Sequence, residues 1–309
     1  PARYHACVRG SLDRWASLLW RPSCLAISAA VCFSHAMAHL HRRQLLHLGM
    51  AIVGVTAISA VGGGRRFLEL AVSRAKDATG PADRVAAARA RLGSRLQDAC
   101  AQAGVAWPPG EVFVRAFKTG DDGHSPGTVE VWAGDGRQPL ARVLSHPVCR
   151  RSGSLGPKRR EGDLQVPEGF YTVSALNPYS SYHLSLRVDY PNDSDRIRGR
   201  QADPLASLGG DIMVHGNCVT IGCIPIEDEP IEEVYIMVAE VFGKRAVPIH
   251  IFPRPLDEHG LQALLAFTPG DEHRMLWTEL AAGYRAFEAS RRVPTVRVAR
   301  DGRYVVTPR

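Results

Sequence analysis

Within nine positions the chain gathers one imidazole and two thiols, in Val214-His215-Gly216-Asn217-Cys218-Val219-Thr220-Ile221-Gly222-Cys223. A cysteine attacks best as its thiolate, and it reaches that form with help from a nearby base or a positive field. Cys223 has a candidate for each: His215, eight residues earlier, and a helix expected to open near Pro230 with Glu229, Glu232 and Glu233 at its positive end. Gly222 carries no Cβ, so a tight turn is allowed and a carbonyl can approach the sulfur and the neighbouring backbone amides, which could serve as an oxyanion hole. This set nominates acyl transfer, with Cys223 as nucleophile, His215 as base and Gly222 as the turn between them. It requires no metal and no cofactor. Cys218 lacks the preceding glycine and reads as structural: a disulfide to Cys149 is one role open to it, and a bridge to Cys223 that silences the site is another. The competing reading is a zinc-stabilised wall-binding module using His215, Cys218 and Cys223, with His183. Its His-x2-Cys-x4-Cys spacing lacks a second ligand pair.

Several elements have to position these groups. Asp83 caps an expected helix in which Val85, Ala88, Leu92, Leu96, Ala99 and Ala103 recur at helical spacing, with Gly104 as its stop. From Val112 the period changes to two, through Val112–Phe117 and Thr128–Trp132, and Gly134-Asp135-Gly136 turns into Leu140–Val148. Gly169–Val173, Tyr182–Leu186 and Asp211–His215 are further strand candidates. A helix with Ile231, Val234, Tyr235, Val238, Val241 and Phe242 on one buried face follows. A strand at Ile249–Phe252, a helix around Leu276, Leu280, Tyr284 and Phe287, and a hairpin turned by Asp301-Gly302 close the chain.

Charge is distributed unevenly. Of the 38 Lys and Arg and 31 Asp and Glu, residues 1–66 hold eight basic groups and one acid, which leaves 30 of each sign in the body. A neutral body argues against a nucleic-acid partner. His41-Arg42-Arg43 ahead of the apolar Leu45–Val61 run and the small residues at 60–64 have the three parts of a secretory signal, with cleavage expected near 60–64. An uncleaved anchor is the alternative. Met37 is where such a signal would begin, so residues 1–36 are expected to precede the native start. Either way the export machinery is an expected partner, and the body is expected in the periplasm or cell envelope.

The His215-Gly216 and Thr220-Ile221-Gly222-Cys223 pair resembles the His-Gly then Ser/Thr-x-Gly-Cys signature of the YkuD-type L,D-transpeptidase domain, in particular its YafK-like branch. Ser152–Lys158, Glu161-Gly162-Asp163, Pro167–Tyr171, Asn177–His183, Ile231–Tyr235 and Val247–Pro253 resemble the branch's other blocks, in order. The broad family has Ser-His-Gly-Cys-x-Arg where this chain has Ile221 and Pro225 in place of that His and Arg. The resemblance implies an α+β fold, a mostly β, sandwich-like catalytic domain over 108–255 with a helical lead-in at 65–107 and a C-terminal helix and hairpin at 256–309. It implies a cysteine enzyme of cell-wall biogenesis that attacks the carbonyl on the L-centre of meso-diaminopimelate in peptidoglycan stems. The acyl-enzyme is then resolved by water, which could include cleavage of a wall-linked lipoprotein, or by an amine. His183, Tyr182, Ser181 and Gly216 are expected to contact substrate. Lys158, Arg159, Arg160, Arg196, Arg198 and Arg200 are expected to attract stem carboxylates.

Overall fold

The computed structural model describes residues 81–267 and 270–309. The expected export segment and the start of the helical lead-in lie outside them. No helix among the described residues is long and apolar enough to cross a membrane.

Helix α1 (Pro81–Gln102) begins on proline, where a missing N–H costs nothing. It buries Ala88, Leu92, Leu96 and Cys100, one residue per turn. Three antiparallel strands follow, β1 (Glu111–Phe117), β2 (Thr128–Gly134) and β3 (Ala141–Pro147). They match the alternating segments read from the sequence. With β4 (Gly169–Asn177), β5 (Ser185–Val188), β6 (Met213–His215), β7 (Ile224–Pro225) and β8 (Pro248–Phe252) they form an eight-stranded mixed sheet in the order β3-β2-β1-β8-β4-β5-β6-β7.

The period of two sorts side chains into two cores. Val112, Val114, Ala116, Val129, Val131, Ile249, Ile251, Leu186 and Val214 face α1 and helix α3 (Asp228–Val241). Phe117, Phe170 and Phe252 face the other way, against helix α4 (Glu258–Leu265), helix α5 (Asp271–Ser290) and Tyr304 of the hairpin β9 (Thr295–Val298) and β10 (Tyr304–Thr307). The architecture is α+β, as expected, with strands prevailing over 108–255 and helices on both faces of one eight-stranded sheet.

Three departures have physical causes. Helix α3 is buried nearly all round, not on one face, because α1 packs along it and supplies Arg91 and Arg95 to its acids Glu232 and Glu233. Strand β5 starts at Ser185, three residues later than expected, since His183 takes a left-handed backbone (φ 71°) that turns the chain before pairing begins. Helix α2 (Asp193–Ala202) was not foreseen. Its buried side is Ser194, Asp195, Arg198 and Gly199, with no apolar stripe, and only the reciprocal capping box between Asn192 and Asp195 announced it.

Candidate active site

Strand β6 runs antiparallel to β5 and parallel to the two-residue β7, with Ser185 opposite His215, Val214 opposite Ile224 and His215 opposite Pro225. Val214 and Ile224 belong to the core under α1 and α3. Alternation therefore sends His215 and Cys223 out of the opposite face together. One residue back from Ile224, Cys223 comes beside Met213, one strand across from His215 and two residues along. That offset corresponds to about 8 Å between Cα atoms, a gap that an imidazole and a thiol can close.

His215 is 2% exposed. Its Nδ1 lies 2.5 Å from the Gly216 carbonyl oxygen. A carbonyl only accepts, so Nδ1 carries the proton and Nε2 keeps a lone pair, the tautomer a general base needs. Burial lowers the affinity of this ring for a second proton, and the Gly216 carbonyl offsets part of that effect. Tyr182 covers the ring at 4.9 Å between centroids. Opposite on β5, the buried Ser185 hydroxyl has no hydrogen-bond partner among the described residues. Sequence reasoning passed over Ser185, since only the register reveals it as a neighbour of the base.

Cys223 is half-buried, and its Sγ lies 3.6 Å from the Asp211 carbonyl oxygen. Burial is the dominant influence and pushes the thiol up; a hydrogen bond with the Met213 backbone lowers it, Asp211 raises it and Lys158 lowers it. A resting thiolate is thus not what the site holds. The thiol and the imidazole both rest neutral. The expected oxyanion amides are engaged. The N–H groups of Gly222 and Cys223 both donate to Thr220 Oγ1, at 3.2 and 2.9 Å, while that hydroxyl donates to the Cys223 carbonyl. Gly222 itself is required by its φ of +134° and by a Cβ position only 3.1 Å from the Gln165 carbonyl oxygen.

The thiol lines a cavity of about 450 Å³, within the usual range for small-molecule clefts. Its walls include Lys118, Gly123, Arg150, Arg151, Ser152 and Pro253. Arg150 and Arg151 were not nominated from the sequence, and the cations that were are mostly committed elsewhere. Lys158 pairs with Asp163, Arg159 with Glu272 and Asp195, Arg196 with Asp193 and Arg198 with Glu279. The available signal was adjacency to Cys149. That residue is disulfide-bonded to Cys218, which ties the cavity wall to the His215 segment.

The remaining nominated residues are dispersed. His183 directs Nε2 to Glu232 of α3 at 2.7 Å, and its carbonyl accepts from Arg84, so it braces the turn toward α3. Gly216 is buried where a Cβ would meet Asp228, His183 and Ile231, and it reaches the site through its carbonyl. Ser181 is exposed on the same turn as Tyr182. The zinc reading fails on its donors. Among the described residues the one cluster with metal-ligand spacing is Cys149, Cys218 and Glu227, whose two sulfurs are the disulfide, and it includes neither His215 nor Cys223.

No family model matches the chain. Two curated relatives, proteins named L,D-transpeptidase YafK in Escherichia coli strain K12 and in Escherichia coli O157:H7, are each 36% identical over 200 residues, covering 63% of this chain and 74% of theirs. Among solved structures, the helical cell shape determining protein Pgp2 of Campylobacter jejuni aligns with 61% of this chain and 73% of its own at 19% identity, with a TM-score of 0.36.

Proposed function

The chain belongs to the YafK-like L,D-transpeptidases, and on that premise we propose that it is an exported cysteine enzyme of the cell envelope that cuts an amide in peptidoglycan stems by way of a Cys223 acyl-enzyme. The observation that carries this reading is the fixed tautomer of His215, with a basic Nε2 on the face of the sheet that bears the cavity-lining thiol.

Because both partners rest neutral, proton transfer accompanies attack. As Cys223 Sγ bonds to the carbonyl carbon on the L-centre of meso-diaminopimelate, its proton passes to His215 Nε2. The Gly216 carbonyl holds the resulting imidazolium through Nδ1–H. Collapse of the tetrahedral intermediate breaks the C–N bond, and the departing amine takes the proton back. The thioester then awaits a second nucleophile, whose proton His215 accepts in turn. Water gives hydrolysis, including release of a wall-linked lipoprotein, and an amine gives transpeptidation. The two outcomes share every group named here. We favour hydrolysis, on the resemblance to the YafK-like branch.

The test is incubation of wild type, Cys223→Ala and Cys218→Ser with defined muropeptides and with lipoprotein-linked sacculi. Wild type should release product, Cys223→Ala should release none, and Cys218→Ser should retain activity at temperatures where it stays folded. Product formation by Cys223→Ala at the wild-type rate would end the proposal.

A further inference from the structure

Arg254 follows the end of β8. It is 5% exposed, makes no ion pair or hydrogen bond among the described residues, and its Nε is buried without a partner. A guanidinium removed from water without a counter-ion is costly, and proteins seldom keep one unless something supplies the missing charge. Comparable buried arginines in this molecule are paired: Arg115 with Glu130 and Glu288, Arg198 with Glu279.

The surroundings of Arg254 are cationic. Its Nη1 lies 3.5 Å from where Gly123 would carry a Cβ, and Gly123 is part of the wall of the thiol cavity, as is the preceding Pro253. Arg151, also in that wall, donates to the Gly123 carbonyl at 3.4 Å, and Arg150 beside it has no acidic partner among the described residues. The two acids on this turn, Asp121 and Asp122, make no ion pair with them among the described residues. Asp122 is held by the Ser125 and His124 amides and the Ser125 hydroxyl, which keep its carboxyl at about 2. The buried Arg254 and the exposed Arg151 therefore meet at the Gly123 turn, which is part of the wall of the cavity that Cys223 lines, and the exposed Arg150 stands in the same wall.

We propose that Arg254, Arg151 and Arg150 form a carboxylate-binding subsite that holds a free carboxylate of the peptide whose carbonyl is presented to Cys223. This rests on the peptidoglycan reading for its substrate and adds to it the group by which that substrate is recognised. Guanidinium forks suit carboxylates, which they bind through paired N–H donors. Of the free carboxylates of a stem peptide, the two nearest the attacked carbonyl along the chain are the terminal one and the one on the D-centre of diaminopimelate. Either would complete the charge that Arg254 lacks.

The experiment measures binding to full-length Cys223→Ala, so that turnover does not intervene. The probes are a stem tetrapeptide, its two singly amidated forms, and acetate as a simple carboxylate. Amidating the recognised carboxylate should weaken binding at least tenfold, and the other amidation should leave it within twofold, which identifies the source. Adding Arg254→Met or Arg151→Ala should weaken the parent tetrapeptide by a similar factor and abolish the difference between the peptides. Arg254→Met should melt no lower than its parent, because it removes an unpaired buried charge. Arg254→Lys, which retains charge and loses the fork, should fall between. Equal binding of all three peptides to the parent, or unchanged discrimination in both Arg254→Met and Arg151→Ala, overturns the subsite and leaves the peptidoglycan reading intact. Acetate binding that is lost in Arg254→Met, with no stem peptide binding, upholds an anion site and overturns the substrate reading.

Discussion

Two buried histidines on one sheet have opposite uses. His215 on β6 and His250 on β8 are 2% and 3% exposed, and burial makes each ring reluctant to take a second proton. Both project away from the α1 and α3 core. On β8 that face is closed, with Phe113 and Phe170 each 4.7 Å from the His250 ring between centroids and Nδ1 left without a partner. On β6 the cover is a single partly exposed tyrosine, Nδ1 has a carbonyl to bond, and β7, which Cys223 immediately precedes, is the neighbouring strand. Burial lowers the basicity of both. A defined tautomer and a neighbouring strand that Cys223 leads into set His215 apart, and it is the one of the two proposed as a base.

The largest effect should come from breaking the β6 side. His215→Gln is expected to lower turnover of a muropeptide by about 10²- to 10⁴-fold with little change in melting temperature. A loss below fivefold would place the base elsewhere. His250→Phe should leave turnover unchanged and alter acid stability instead. The folded state keeps His250 neutral down to about 3, whereas the unfolded chain protonates it near the ordinary 6.5. Below 6.5 the unfolded state thus binds more protons, and wild-type stability drains away as pH falls toward 3. Denaturant unfolding at pH 7, 5 and 4 should show a shallower decline in His250→Phe than in wild type.

Smaller effects sharpen the contrast. The Cys149–Cys218 bridge closes 69 residues of chain, and replacing both cysteines with serine should cost about 2 to 4 kcal/mol by thermal unfolding. Ser185→Ala, which removes a buried hydroxyl that has no partner among the described residues, should leave kcat within about twofold and the melting temperature no lower. His183→Gln should stay within about twofold in kcat and destabilise the protein by about 1 kcal/mol, since its partner is Glu232. A His183→Gln enzyme as impaired as His215→Gln would restore that residue to the active site, where the sequence reading expected it to contact substrate.

Local pattern made most strands legible and brought forward the pair proposed to react. His215, Gly222 and Cys223 stand within nine residues, and the period of two in β1 and β2 survives into the observed register. What the sequence did not disclose depends on distant elements. Arg150 and Arg151 become cavity wall because a disulfide and the loops around Gly123 and Pro253 gather there, and Ser185 meets His215 only through strand pairing. The neutral state of Cys223 reflects burial by several segments, which no local pattern spells out. Helix α2 escaped notice because its buried side is polar.

The neutral pair is the central claim, and the pH dependence of Cys223 alkylation by iodoacetamide tests it most directly, in wild type and His215→Gln after masking Cys100. With burial holding the thiol up, the rate should climb through an inflection above 9.0, the ordinary value for a cysteine here, and removing the imidazole should move that inflection little. An inflection below 7 that shifts upward in His215→Gln would mean a preformed thiolate–imidazolium pair and would contradict this account.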